Sequence, residues 1–214
     1  MKKTLIFDFD GVIAETDKGK FALLDEILQD YGLRLPENCD SGELSGLSSK
    51  HLLRKLYKFR LSEDDIEEIV KKRRTIYLQN LEKYCVPYEL AIDTISDLKN
   101  NDFKLYLATI NERHIINRLL DYLNIQNCFI KIFSGEDIDL ENTSGKDYKH
   151  VINSISSHLS DIIVIEDSEF GVRSALETGV FTIHFGHRAV VSEDEHLIHI
   201  KNYRELRTYF DMDN

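Results

Sequence analysis

The chain has 214 residues, 42% of them hydrophobic, which is enough apolar material for one large domain or for one domain carrying a modest insertion. Its formal net charge of −11 and isoelectric point near 5.2 argue against a nucleic-acid partner, because no basic surplus is present to displace backbone counterions. No apolar run approaches the roughly 18 residues of a membrane helix, Lys2 and Lys3 lead into a short run broken by Asp8 rather than into a signal peptide, and Cys39, Cys85 and Cys128 form no CxxC pair. The expectation is a soluble, cytoplasmic protein with no membrane partner, no structural disulfides and no zinc.

Thr4 to Phe7 have the length and the β-branched and aromatic character of a strand buried on both faces, and Gly11 permits a sharp exit after it. Two carboxylates, Asp8 and Asp10, stand at its end. Alone, such a DxDG string also describes an ordinary acidic turn. At the end of a buried strand, however, paired carboxylates are costly unless a cation or a reaction requires them.

Phe21, Leu24, Ile27, Leu28 and Tyr31 recur at helical spacing up to Gly32. The stretch ENCDSGELSGLSS reads as a loop, after which Ser48 caps a helix carrying Leu52, Leu53 and Leu56. Ser62, with Asp65 three residues on, forms a capping box that opens a helix running to about Tyr84. Its apolar stripe is Ile66, Ile69, Val70, Tyr77, Leu81 and Tyr84. Arg73 falls on that same face, where a guanidinium must meet an anion, either a carboxylate of the protein or a substrate. The acidic run Glu63–Glu68 reads as a solvated helix start that suits the helix dipole. Between residues 15 and 85 the pattern holds helices and no strand.

Pro87 marks a boundary. A helix at about 88–100 is followed by strands at Phe103–Thr109, Phe129–Phe133, Ile162–Ile165 and Val180–Phe185, with a weaker one at His196–Ile200. Ile115, Ile116, Leu119, Leu120 and Leu123 line one intervening helix and Val151, Ile152, Ile155 and Leu159 another, and a shorter helix follows Ser168. Asn111 and Asn202 read as N-caps. Strands separated by helices need crossover connections, so the fold class is α/β, a doubly wound parallel sheet. Residues 1–14 and 86–214 make the core, and residues 15–85 make an all-helical insertion leaving the first strand's carboxyl end. Ligands in such sheets bind at the strands' carboxyl ends, so the insertion is expected to act as a lid.

Further polar positions follow strands or open helices on that same edge: Thr109 in LATIN, Lys146 in SGKDYK, and Glu166–Asp167 in VIEDSEFGV. Singly, each has an ordinary explanation as a turn residue, a solvated lysine or a helix cap. Their joint order behind DFDGV does not. With the motifs DFDGVIAET, LATIN, Lys146 and EDSEFGVRSALETGV, the chain resembles, over nearly its whole length, the haloacid dehalogenase superfamily of hydrolases. The likeness is to the subgroup with a small helical cap after the first strand, which includes phosphatases and β-phosphoglucomutase-like enzymes.

The resemblance implies a Mg2+-dependent phosphatase acting on a small phosphorylated metabolite through an aspartyl-phosphate, with Asp8 as nucleophile and Asp10 as general acid and base. Elementary chemistry supports this. A carboxylate can attack phosphorus only if the combined negative charge is offset by a metal and an ammonium, and Mg2+ prefers oxygen ligands. The implied ligands are Asp8, the Asp10 carbonyl and Asp167, with Glu166 as an alternative or outer ligand. Lys146 would pair with the phosphate, and Thr109, followed by Asn111, would hold a non-bridging oxygen. Dehalogenating relatives typically lack the second aspartate, so Asp10 favours phosphate chemistry.

Two departures from the family pattern bear on function. Asp147 follows Lys146 where proline is common, and in GLSSKHLL Ser49 stands where related sugar-phosphate mutases typically carry an arginine. The second departure favours a phosphatase over the alternative, a mutase of the β-phosphoglucomutase type. A third reading is a catalytically idle relative that binds a phosphometabolite or a protein. Within the insertion Lys20, Ser48, Arg73, Lys50 and His51 are the candidates to face a substrate. A metal site at His184, His187, His196 and His199 is not expected, since two of them alternate with apolar residues along strands and no cysteine joins them. The metabolite and the oligomeric state are left open.

Overall fold

A computed structural model describes residues 3–37, 47–138, 147–187, 190 and 194–212. Lys146, Cys39 and most of the expected loop at 37–49 lie outside these residues. The chain divides into two compact units, Met1–Ala14 with Pro87–Asn214, and Glu15–Val86.

The strands are β1 (Thr4–Phe7), β2 (Ala14–Glu15), β3 (Val86–Pro87), β4 (Lys104–Ala108), β5 (Lys131–Phe133), β6 (Ile162–Glu166), β7 (Phe181–Phe185) and β8 (Leu197–Ile200). Six of them form one sheet in the order β5-β4-β1-β6-β7-β8, and its neighbours pair in parallel. Strands covered on both faces read as continuous apolar runs, and every residue of β1 and β6 is buried. The order steps outward from β1 in both directions, which places the topological switch point at β1. Phe7 pairs with Leu107 on one side and Ile165 on the other. That register delivers Asp8, Thr109 and Glu166, the residues at or just past three adjacent strand ends, to one edge of the sheet.

Helices α1 (Asp17–Leu28), α2 (Ser49–Tyr57), α3 (Glu63–Gln79) and α4 (Leu81–Tyr84) make the second unit, and α5 (Ala91–Asn100), α6 (Arg113–Tyr122), α7 (Tyr148–Asn153), α8 (Glu169–Leu176) and α9 (Tyr203–Tyr209) flank the sheet. One apolar cluster joins Ile6, Phe133, Val164, Tyr148 and Val151, so α7 is anchored directly on the sheet. No helix among the described residues is long and apolar enough to cross a membrane.

Several local expectations are refined. The helix predicted from Phe21 begins at Asp17, directly after Thr16. The single helix predicted over 63–84 is two, because Asn80 leaves helical geometry (φ −135°, ψ 48°) while its side-chain amide donates to the Ile76 carbonyl at 2.8 Å. Ser62 and Asp65 form the predicted reciprocal cap of α3, and Ser48 Oγ caps α2 by accepting from His51 N at 3.4 Å. The short strands β2 and β3, at the two places where the chain passes between units, were not expected. β5 starts at Lys131 rather than Phe129 because Gln126–Cys128 forms a 3-10 turn. Asn202 caps α9, accepting from Glu205 N at 3.1 Å. Asn111 does not cap α6; Glu112 occupies that position, which releases the Asn111 side chain for the contact described next.

Candidate active site

Asp8 follows β1 directly and is 5% exposed. Its backbone N–H continues the ladder to the Ile165 carbonyl at 3.0 Å, and its Oδ1 accepts from Phe9 N at 2.6 Å, which fixes the carboxylate's orientation. The chain then folds back on itself, with Gly11 N donating to the Ala14 carbonyl at 2.9 Å. Gly11 has φ +78°, and a Cβ there would overlap the Asp167 carboxylate. Only glycine satisfies both the left-handed backbone and that close approach.

Asp10 is half-buried, and its Oδ2 accepts from Asn111 Nδ2 at 2.7 Å. The same amide donates to Thr109 Oγ1 at 3.0 Å, and Asn111 N donates to that oxygen at 3.2 Å. Thr109 is fully buried past β4. A hydroxyl that accepts two hydrogen bonds still has its own proton to give.

On the other side of β1, β6 ends in Glu166 and is followed by Asp167, both buried. Asp8, Glu166 and Asp167 each bring one carboxylate oxygen to within 4.8 Å of the others. At that spacing and an effective dielectric constant of about 20, each pair of unit charges repels by roughly 3 kcal/mol. An all-oxygen set of this kind is what a small hard divalent cation binds, so the chemistry of these three acids fits such an ion.

Three neighbours hold this corner in place. Tyr148 OH donates to Glu166 Oε2 at 2.7 Å, and Ser168 donates to Oε1 from its hydroxyl at 2.8 Å and its backbone N–H at 3.2 Å. Gly171 leaves the space that the Glu166 carboxylate fills. His184 Nε2 lies 3.3 Å from the Asp167 carbonyl oxygen, and His184 Nδ1 lies 2.9 Å from His199 Nδ1. Burial pushes the Tyr148 phenol pKa well up, and the negative charges of Glu166, Asp8 and Asp167 add to this, so it remains a donor.

The structure therefore gathers six of the residues singled out in the sequence, Asp8, Asp10, Thr109, Asn111, Glu166 and Asp167. Lys146 lies outside the described residues. Lys20, Ser48 and Arg73 belong to the helical unit. Lys20 Nζ is 5.7 Å from the centre of the Tyr77 ring, Arg73 is half-buried one turn before Tyr77 on α3, and Ser48 Oγ is used in capping α2. Sequence reasoning missed Tyr148, Ser168 and His184. Tyr148 was within reach, since it continues the Val151, Ile152, Ile155 stripe by one turn and brings a hydroxyl into an apolar face.

A model of the haloacid dehalogenase-like hydrolase family matches residues 5–185. The chain is 23% identical over 182 residues to the phosphoglycolate phosphatase of Aquifex aeolicus, covering 84% of this chain and 83% of that protein. Its fold matches that of a β-phosphoglucomutase from Clostridium difficile with a TM-score of 0.76 at 16% identity, covering 100% and 96% of the two chains. It also matches YfnB, a HAD-hydrolase from Bacillus subtilis in a magnesium-bound structure, with a TM-score of 0.69 at 19% identity, covering 100% and 99%. With the family model spanning most of its length, this chain belongs to the haloacid dehalogenase-like hydrolase family, and is a hydrolase by that membership.

Proposed function

We propose that this hydrolase is a Mg2+-dependent phosphatase that cleaves a small phosphorylated metabolite through an aspartyl-phosphate on Asp8. The observation that carries the reading is the cluster of Asp8, Glu166 and Asp167 within 4.8 Å, buried beside an Asp10 held by Asn111. Asp8, Asp167 and the Asp10 carbonyl would hold the ion, with Glu166 beside them. When bound, Mg2+ supplies positive charge against the phosphate oxygens and the attacking carboxylate.

The chain's own groups divide the reaction as follows. A carboxylate oxygen of Asp8 attacks phosphorus, and the bond from phosphorus to the ester oxygen breaks. Asp10, protonated at this stage and oriented by the Asn111 amide, gives its proton to the departing alkoxide. Asp10 then takes a proton from water as that water attacks phosphorus, which releases inorganic phosphate and restores Asp8. Thr109 directs its remaining O–H at a non-bridging oxygen. Lys146 is assigned the neighbouring ammonium on the strength of its motif position. In the helical unit, Lys20 and Arg73 are proposed to meet the substrate. The relative in Aquifex aeolicus acts on phosphoglycolate, which supports a small anionic phosphomonoester as the substrate class. Cys85 and Cys128 form no disulfide among the described residues, which supports a cytoplasmic setting.

Ser49 in place of the mutase arginine favours release of phosphate to water over its transfer within a sugar phosphate. The deciding experiment is a panel of phosphomonoesters incubated with the protein and Mg2+, with phosphate release measured. Release by the wild type that stops on Asp8→Asn is the expected result. Release untouched by that substitution sinks the mechanism, and isomerisation of a sugar phosphate outpacing release turns the assignment to a mutase.

A further inference from the structure

Glu166 is a second acid directly preceding Asp167, fully buried, and the proposed reaction gives it no step. Burying a carboxylate is costly unless its charge is matched by donors or a cation. Here the donors are unequal in kind. Oε1 is served by Ser168, two residues away at the N-cap of α8, so that pairing is local. Oε2 is served by Tyr148, which arrives from a different element 18 residues earlier.

The Tyr148 ring leaves little freedom to its hydroxyl. It is 0% exposed and packs in the cluster with Ile6, Phe133 and Val164. It is the first residue of α7, capped by Asp147, whose carboxylate accepts from Lys149 N at 3.0 Å and His150 N at 3.4 Å. Its own backbone N–H donates to Ser174 Oγ on α8 at 3.3 Å. Gly171, also on α8, has no side chain and so lets the Glu166 carboxylate lie directly against that helix. The core thus holds a phenol at one oxygen of a carboxylate in the acid cluster, and the same helix pair walls in that carboxylate.

We propose that Tyr148 is a positioning residue of the cation site: its hydroxyl fixes Glu166 Oε2, and so sets how tightly the Asp8–Glu166–Asp167 cluster holds Mg2+ and how strongly it prefers Mg2+ to the larger Ca2+. The inference rests on the cation-site reading given above. The physical reason is rigidity. Mg2+ demands near-ideal octahedral geometry at short distance, whereas Ca2+ accepts longer and more variable coordination, so freeing one carboxylate harms Mg2+ more than Ca2+. Partners that orient the acids of a metal site typically change metal affinity by about 10–100-fold when removed.

The test is calorimetric titration of the full chain with MgCl2 and separately with CaCl2, for wild type, Tyr148→Phe, Glu166→Gln and the double variant. Expected are a roughly tenfold weaker Mg2+ affinity in Tyr148→Phe, a smaller loss for Ca2+, and no further loss when Tyr148→Phe is added to Glu166→Gln. Unchanged Mg2+ binding in Tyr148→Phe overturns the inference. So does an equal loss for both ions that adds fully to that of Glu166→Gln, because a merely structural hydroxyl would behave that way. Thermal melts in a chelator show whether each variant is folded. If Tyr148→Phe does not fold, Ser168→Ala removes a donor from the other oxygen and carries the same test: weaker Mg2+ binding supports a donor-held carboxylate, and wild-type binding overturns it. Wild type that takes up no Mg2+ fells the cation-site reading and this inference with it, whereas wild type that binds beside a Tyr148→Phe variant that binds equally fells this inference alone.

Discussion

Among the described residues the α/β unit holds two clusters in which three acidic or histidine side chains bring ligand atoms within 4.8 Å of one another: Asp8, Glu166 and Asp167 in one, Glu112, His114 and Glu136 in the other. The first is buried, and the second is half-buried to exposed at the start of α6. In the second, water screens the charges, and the carboxylates have local tasks. Glu136 accepts from Arg113 N at 2.7 Å and Ser134 Oγ at 2.8 Å, and so caps the first turn of α6, whose own N-cap residue makes no side-chain cap. In the first, glycines at 11 and 171 leave room for carboxylates and Tyr148 and Ser168 supply donors from inside the core. Proximity of acids is therefore a poor marker of a site. What separates the two is that the buried cluster is assembled from distant parts of the chain against an electrostatic cost that a helix cap would not require.

That contrast is broken most directly by removing one acid from each cluster. Asp8→Asn should lower phosphate release by at least about 10^4-fold, the scale of losing a nucleophile. Glu112→Gln with Glu136→Gln should leave it within about twofold, since exposed substitutions away from the chemistry perturb little. Comparable losses in steady-state assays would mean that the exposed cluster shares in the reaction. A second comparison sets Gly11 against Gly179. Both have positive φ, +78° and +79°, but a Cβ at Gly179 meets open space. Gly179→Ala should cost about 1–2 kcal/mol from the backbone alone. Gly11→Ala should cost at least about 3 kcal/mol by urea unfolding, because overlap with the Asp167 carboxylate adds to the backbone penalty. Equal costs would show that the carboxylate yields readily, and the cluster would then be looser than its burial implies.

How much of this was legible in the sequence differs between the fold and the site. Parallel strands buried on both faces announce themselves as short apolar runs, which is why Thr4–Phe7 and Ile162–Ile165 could be read directly. Helix breaks were harder: nothing in the Ile66 to Tyr84 stripe shows that Asn80 leaves the helix, since the stripe's periodicity continues through it. At the site, Asp8 and Asp10 stand out because paired carboxylates at the end of a buried strand are costly, whereas Asp167 reads singly as part of a helix cap and gains meaning only from its order behind them. Asn111 was misread as a helix cap, although asparagine is a good one, because its partner Asp10 is 101 residues away and local rules cannot see that contact. Tyr148 is half legible: the apolar stripe it continues marks a hydroxyl that needs a partner, but that the partner is Glu166 shows only in the folded chain.

Cation uptake sharpens the comparison further. Mg2+ at about 100 times its dissociation constant should raise the unfolding free energy by about 2.7 kcal/mol, measured as a shift of the urea midpoint. Asp167→Asn should lose that gain, and the Glu112→Gln, Glu136→Gln pair should keep it. Loss in the exposed pair instead would place the ion there.

The smallest expected effect comes from acid titration of the exposed cluster. Burial works to raise the Glu136 pKa, but hydrogen bonds from the Ser134 hydroxyl and the Arg113 N–H outweigh it, so the net shift from the ordinary value of 4.5 is downward. A carboxyl whose folded pKa lies below its unfolded value adds stability above the unfolded value and loses it as pH falls through the folded one. Glu136→Gln should therefore lower the melting temperature near neutral pH, by an amount corresponding to less than about 1 kcal/mol because the group is exposed and screened. The gap from wild type should shrink as pH falls below 4.5. A gap that persists unchanged into acid would mean that the neutral side chain caps α6 as well as the charged one does. The exposed cluster would then owe nothing to its charge, and its distinction from the buried one would be greater still.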